Sequence, residues 1–124
     1  MKRKSSNPGS VAKPQKIMVV LHEDDVAPRF DLALGLFITE FAPDGSKVME
    51  KTLVLPHPSA EDLCRLILTE KITVLICGGI EQEYFDYLTW KEVRVIDSVI
   101  GDYQWAVSRC LESHLQSGDI QRSA

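Results

Sequence analysis

A chain of 124 residues with 44% apolar content is long enough to bury one core and too short for two ordinary domains. The net charge of -4 is unevenly spread: Lys2, Arg3, Lys4, Lys13 and Lys16 are five of the 14 basic residues, leaving nine against all 18 acids from Glu23 onward. So acidic a body repels polyphosphate backbones, which argues against nucleic acid as a ligand.

Three cysteines, Cys64, Cys77 and Cys110, form no C-x-x-C pair and leave one thiol over if two were bridged. That usage suits a reducing, cytoplasmic compartment better than a disulfide framework. No apolar run approaches the roughly 18 residues needed to cross a bilayer, and the basic start lacks a signal peptide's apolar stretch, so no membrane association is expected.

Residues 1–15, rich in Lys, Ser, Asn, Pro and Gly, predict a disordered basic arm ahead of a folded domain at 16–117. Lys16 to Leu21 is the first strand, apolar on both faces and ending at the polar cluster His22-Glu-Asp-Asp25. After Pro28, Leu32 to Phe41 reads as a second strand, with Phe37 and Phe41 on one face and Leu36 and Ile38 on the other. Pro43-Asp44-Gly45 is a hairpin turn, so the third strand, Lys47 to Leu55, runs antiparallel to the second. Its alternation sets Val48, Glu50 and Thr52 against Met49, Lys51 and Leu53, as expected of an exposed edge.

Ser59, followed three residues later by Asp62, opens a helix over Ala60 to Glu70. The fourth strand, Thr73 to Cys77, has no polar alternation and so belongs in the middle of a sheet covered on both sides. It breaks at Gly78-Gly79-Ile80 into a second amphipathic helix carrying Tyr84, Phe85 and Leu88. Val93 to Asp97 gives a fifth strand, and Gly101 to Leu115 a terminal helix that stops near Gly118, leaving 118–124 as a flexible tail. Hairpins between strands one to three and helical crossovers between the rest predict a three-layer α/β/α domain. Its sheet is five-stranded, mixed and ordered 3-2-1-4-5, with strand two antiparallel.

Open α/β sheets place their sites at the carboxyl ends of strands, where this chain has Glu23, Asp24, Asp25, Asp97 and the glycine pair. Gly78 and Gly79 could take positive φ and bring bare amides to a ligand, or simply turn strand into helix. The carboxylates could bind two magnesium ions for phosphodiester cleavage, but that chemistry needs an acid within the first strand. Residues 17–21 there are Ile, Met, Val, Val and Leu. Cys77, His57 and His22 are candidate soft ligands, whereas Cys64 and Cys110 fall on helix stripes and read as core.

Ala27-Pro28-Arg29-Phe30-Asp31, Gly78-Gly79-Ile80 and Asp97, in that order and spacing, make residues 16–117 resemble the dinitrogenase iron-molybdenum cofactor biosynthesis and accessory family, small ribonuclease-H-like domains. The resemblance implies a carrier, with no turnover of its own, for a molybdenum- or iron-containing sulfide cluster exchanged with a donor or acceptor protein. It places the cluster against Arg29, Phe30, Cys77, Gly78, Gly79 and Ile80. Because Leu55-Pro-His57-Pro carries a single imidazole and Glu81 and Glu83 crowd the helix start, a protein-interaction module that has lost the cluster is the alternative. In the carrier reading, Arg29, Cys77 and the glycine amides share one pocket, with His22 or His57 at its rim. Otherwise Arg29 pairs with Glu23 or Asp31 and Cys77 lies sealed in the core.

Overall fold

The computed structural model of the protein describes residues 14–122. The element order is β1 (Gln15–His22), β2 (Asp25–Val26), a 3-10 turn (Phe30–Leu32), β3 (Gly35–Phe41), β4 (Lys47–Val54), α1 (Ala60–Thr69), β5 (Val74–Ile76), α2 (Gln82–Trp90), β6 (Arg94–Ile96) and α3 (Tyr103–Leu111). The strands form one mixed sheet ordered β4-β3-β1-β5-β6, with β2 pairing β1 off that path. The long strands follow the order expected from sequence, and β3 is antiparallel to both neighbours. β2 is a sixth strand that the sequence did not announce, too short for any periodicity to show.

Strand parity divides the core into two layers. Met18, Val20, Leu36, Ile38, Leu75 and Cys77 pack on one face against Leu63, Cys64 and Ile67 of α1 and Leu88 of α2. Ile17, Val19, Phe37, Val74, Ile76 and Ile96 pack on the other, against Ala106 and Cys110 of α3. At the edge, Met49 and Leu53 of β4 turn toward the first layer, while Val48 and Val54 stay exposed. Lys51, on the same inward face, reaches Glu70, which also receives Lys16; the two cations hold that carboxyl below its usual range. Ser59 caps α1 as the sequence predicts, its hydroxyl accepting from the Asp62 amide at 3.1 Å.

Three boundaries differ from expectation. Gln15 pairs with Phe41 within β1, so the first strand starts inside the predicted arm; residues 1–13 lie outside the described residues. The connection from β1 to β3 is no short hairpin, because β2 and the 3-10 turn intervene, and the second long strand begins at Gly35 rather than Leu32. Finally, α3 stops at Leu111. Ser113 adopts φ +63°, its amide donates to Cys110 O at 3.0 Å, and the His114 amide donates to Arg109 O at 2.8 Å, a Schellman closure.

Beyond α3, Leu115 is buried and the chain returns along the sheet end. The Gly118 amide donates to Asp97 O, the Gln121 amide to Ile100 O, and Ile100 bridges Ile120. Residues 118–121 are thus tied to the body, unlike the free tail expected, and residues 123–124 lie outside the described residues. Among the described residues, no helix is long and apolar enough to cross a membrane.

Candidate functional site at the carboxyl end of the sheet

β1 ends at His22, and Glu23 at φ +56° turns the chain into β2. Backbone hydrogen bonds then fix the polar cluster to the start of α3: the Val26 amide donates to Gly101 O at 2.9 Å and the Tyr103 amide to Asp24 O at 3.0 Å. Asp102 caps α3 there, its carboxylate accepting from the Gln104 and Trp105 amides.

Next, Pro28 to Phe30 crosses the carboxyl end of β5. The Gly79 amide donates to Pro28 O at 2.7 Å, the Phe30 amide donates to Gly79 O at 2.8 Å, and Arg29 forms a parallel bridge with Gly79. The backbones come so close that a Cβ on Gly78 would lie 2.4 Å from Ala27 O and 2.5 Å from Pro28 O. Neither Gly78 nor Gly79 has positive φ, so the glycine at 78 is required for backbone approach rather than for a left-handed turn, while a Cβ on Gly79 would meet Pro28 O at 3.4 Å.

Two cavities flank this crossing and share His22 and Pro28. One, of about 570 Å³, reaches from Leu21 and Arg29 to Leu34 and Val54; the other, of about 490 Å³, runs from Val26 past Gly79 to Ser98 and Ile100. The exposed carboxylates of Glu23 and Asp25 stand at their rims.

The residues predicted for a shared pocket are dispersed. Cys77 is fully buried in the first core layer; burial, reinforced by the charge of Asp97, pushes its thiol up to about 12. It does not open on the crevice, since the Ala27–Phe30 segment closes over the end of its strand. Phe30 is 1% exposed, with its ring 6.2 Å from that of Tyr84, and Ile80 packs half-buried on the same layer; both are core residues. Arg29 is exposed and forms a two-pronged pair with Asp31, at 3.0 and 2.6 Å, as the surface alternative anticipates.

The Gly79 amide is used by Pro28. His57 lies apart, before α1, with Nε2 3.6 Å from Asp62 Oδ2. Only His22 of the three proposed ligands faces the cavities, and among the described residues no group of three or more His, Cys, Asp or Glu is placed to hold a metal ion. Asp97 is half-buried and engaged by local partners, with Ser98 donating to Oδ2 and Ser117 accepting from its amide.

Sequence reasoning missed the apolar residues that surround the cavities. Leu32, Leu34, Val54 and Ile100 are between 43% and 77% exposed. Leu32 and Val54 read as strand residues, and only the 3-10 turn and the open edge leave them uncovered.

No family model matches the chain, and no curated protein matches it. Solved structures do share its fold. The crystal structure of PH0822 superposes with a TM-score of 0.73 at 13% identity, covering 83% of this chain and 94% of that one. A protein from Methanocaldococcus jannaschii, provisionally described as a dinitrogenase, gives 0.66 at 19% identity, covering 82% and 91%. A Thermotoga protein, provisionally described as NifB and assigned to the DUF35 family, gives 0.60 at 16% identity, covering 89% and 99%. At these identities the likeness establishes the three-layer α/β/α fold.

Proposed function

We propose that this chain is a non-catalytic binding domain of the nitrogenase-accessory type, acting as a protein-interaction module through the carboxyl end of its sheet. The observation that carries this reading is the gathering of exposed Leu32, Leu34, Val54 and Ile100 around two cavities at that end. Support for the nitrogenase connection comes from the Ala27–Asp31 and Gly78–Ile80 motifs and from the names of two structural neighbours. The partner presents apolar side chains ringed by basic ones, complementing Glu23 and Asp25.

A molybdenum- or iron-sulfide cluster requires soft or cationic donors turned toward it. Here the thiol is sealed, the Gly79 amide is engaged and Arg29 is held by Asp31, so the donor set does not fit direct cluster ligation. A carrier role is the second reading, favoured by the placement of His22 where both cavities meet.

Two measurements separate these. Complexes captured on the wild-type protein and identified by mass spectrometry should be lost in Leu34→Glu/Val54→Glu, with melting temperature preserved because both side chains are exposed. Retention of the same complexes would overturn the interaction reading. Tetrathiomolybdate, with or without copper or iron, should leave the protein colourless; a charge-transfer band weakened in His22→Ala would establish the carrier instead.

A further inference from the structure

A further cavity lies away from that end, on the helical layer, where about 670 Å³ opens between α1 and α2. Cys64 and Leu68 from α1 and Tyr84 and Tyr87 from α2 line it, with Glu61 and Glu83 also on its walls. The remaining charged lining residue, Arg65, is committed to Asp62, its Nη1 lying 2.7 Å from Oδ1. Neither Glu61 nor Glu83 is ion-paired among the described residues.

We infer that this groove is a second docking site, and that its occupant is a basic peptide segment of a partner, carrying Lys or Arg beside an apolar residue. The argument is one of charge and chemical complementarity. Two uncompensated carboxylates flank aromatic and aliphatic walls, a combination that takes the ammonium or guanidinium at the rim and the adjoining alkyl stem against the rings. The field inside is correspondingly negative: after burial, Glu83 and Glu61 push the Tyr84 hydroxyl upward, and Glu61 adds to burial in raising the Cys64 thiol to about 11. The aromatic surface continues to Trp90, 73% exposed, and already receives a cation from this chain, with Lys91 Nζ 4.7 Å from the Trp90 ring and 5.8 Å from that of Tyr87.

The site is independent of the carboxyl-end face. Its test uses the full-length protein and a fluorescein-labelled hexapeptide of alternating lysine and leucine, with a glutamate-for-lysine version as control. Anisotropy should report binding of the basic peptide alone. Glu61→Gln/Glu83→Gln should weaken it roughly three- to tenfold, as two rim ion pairs would, whereas Glu112→Gln beyond α3 should leave it unchanged. Amide resonances of residues 61–69 and 83–90 should shift on binding. Absence of binding or shifts confined to the carboxyl end would overturn the proposal, as would equal weakening by Glu112→Gln, which would reduce the effect to the attraction of a generally acidic body.

Discussion

Replacing Gly78 by alanine tests whether the glycine pair serves backbone approach or ligand contact. The new methyl group would meet Ala27 O at 2.4 Å, Pro28 O at 2.5 Å and Pro28 C at 2.7 Å, all backbone atoms that no rotamer change can move aside. The Ala27–Phe30 segment must therefore lift, giving up the Gly79–Pro28 and Phe30–Gly79 hydrogen bonds. Two such bonds at about 1 kcal/mol each, with an overpacking cost of about 1–3 kcal/mol, put the loss at about 3–5 kcal/mol. For a domain of this size that is a fall in Tm of roughly 12–20 °C.

Gly79→Ala is the control, because its methyl group would meet Pro28 O at 3.4 Å, about ordinary contact, without positive φ. It should cost less than about 1 kcal/mol, the scale of a mild overpacking. Urea unfolding followed by far-ultraviolet circular dichroism gives both values, with a shift in midpoint at constant slope expected for Gly78→Ala. Equal stability of the two variants would refute the close-approach argument and return the glycines to a ligand-binding role.

Two further outcomes follow from the burial of predicted site residues. Cys77 should resist alkylation in the native protein at pH 8 and react on unfolding. Its folded-state thiol is raised from the ordinary 9.0 to about 12, so the stabilisation it contributes is complete below about pH 9 and fades as pH climbs toward 12. Unfolding free energies of Cys77→Ala should accordingly fall less steeply over that window than those of wild type, and parallel slopes would show the thiol to be solvated. Phe30→Ala, which empties a site 1% exposed, should cost about 3–5 kcal/mol in chemical denaturation; a loss below 1 kcal/mol would mean that Phe30 is free to face a ligand.

What the sequence determined by itself is what local periodicity encodes. The unbroken apolar runs at Ile17–Val20 and Val74–Ile76 required burial on both faces, the alternation of Lys47–Val54 marked an edge, and Ser59 with Asp62 marked a helix start; each depends on near neighbours alone. Helix ends were less legible. α1, α2 and α3 each close through a non-glycine residue at positive φ, Lys71, Glu92 and Ser113 respectively, so the usual glycine signal is missing. Leu115 continued the apolar stripe of α3 although the helix had ended, because it packs into the same core layer as Ile17, Ile96 and Cys110 from a non-helical segment. Tertiary structure also decided the site. Strand parity set Cys77 on the face of Leu75, but whether that strand end opened to a crevice depended on a segment nearly fifty residues earlier, Ala27–Phe30, lying across it. That contact seals the thiol and occupies the Gly79 amide while the sheet's open edge leaves Val54 exposed, and no local pattern records a packing made between residues so distant in the chain.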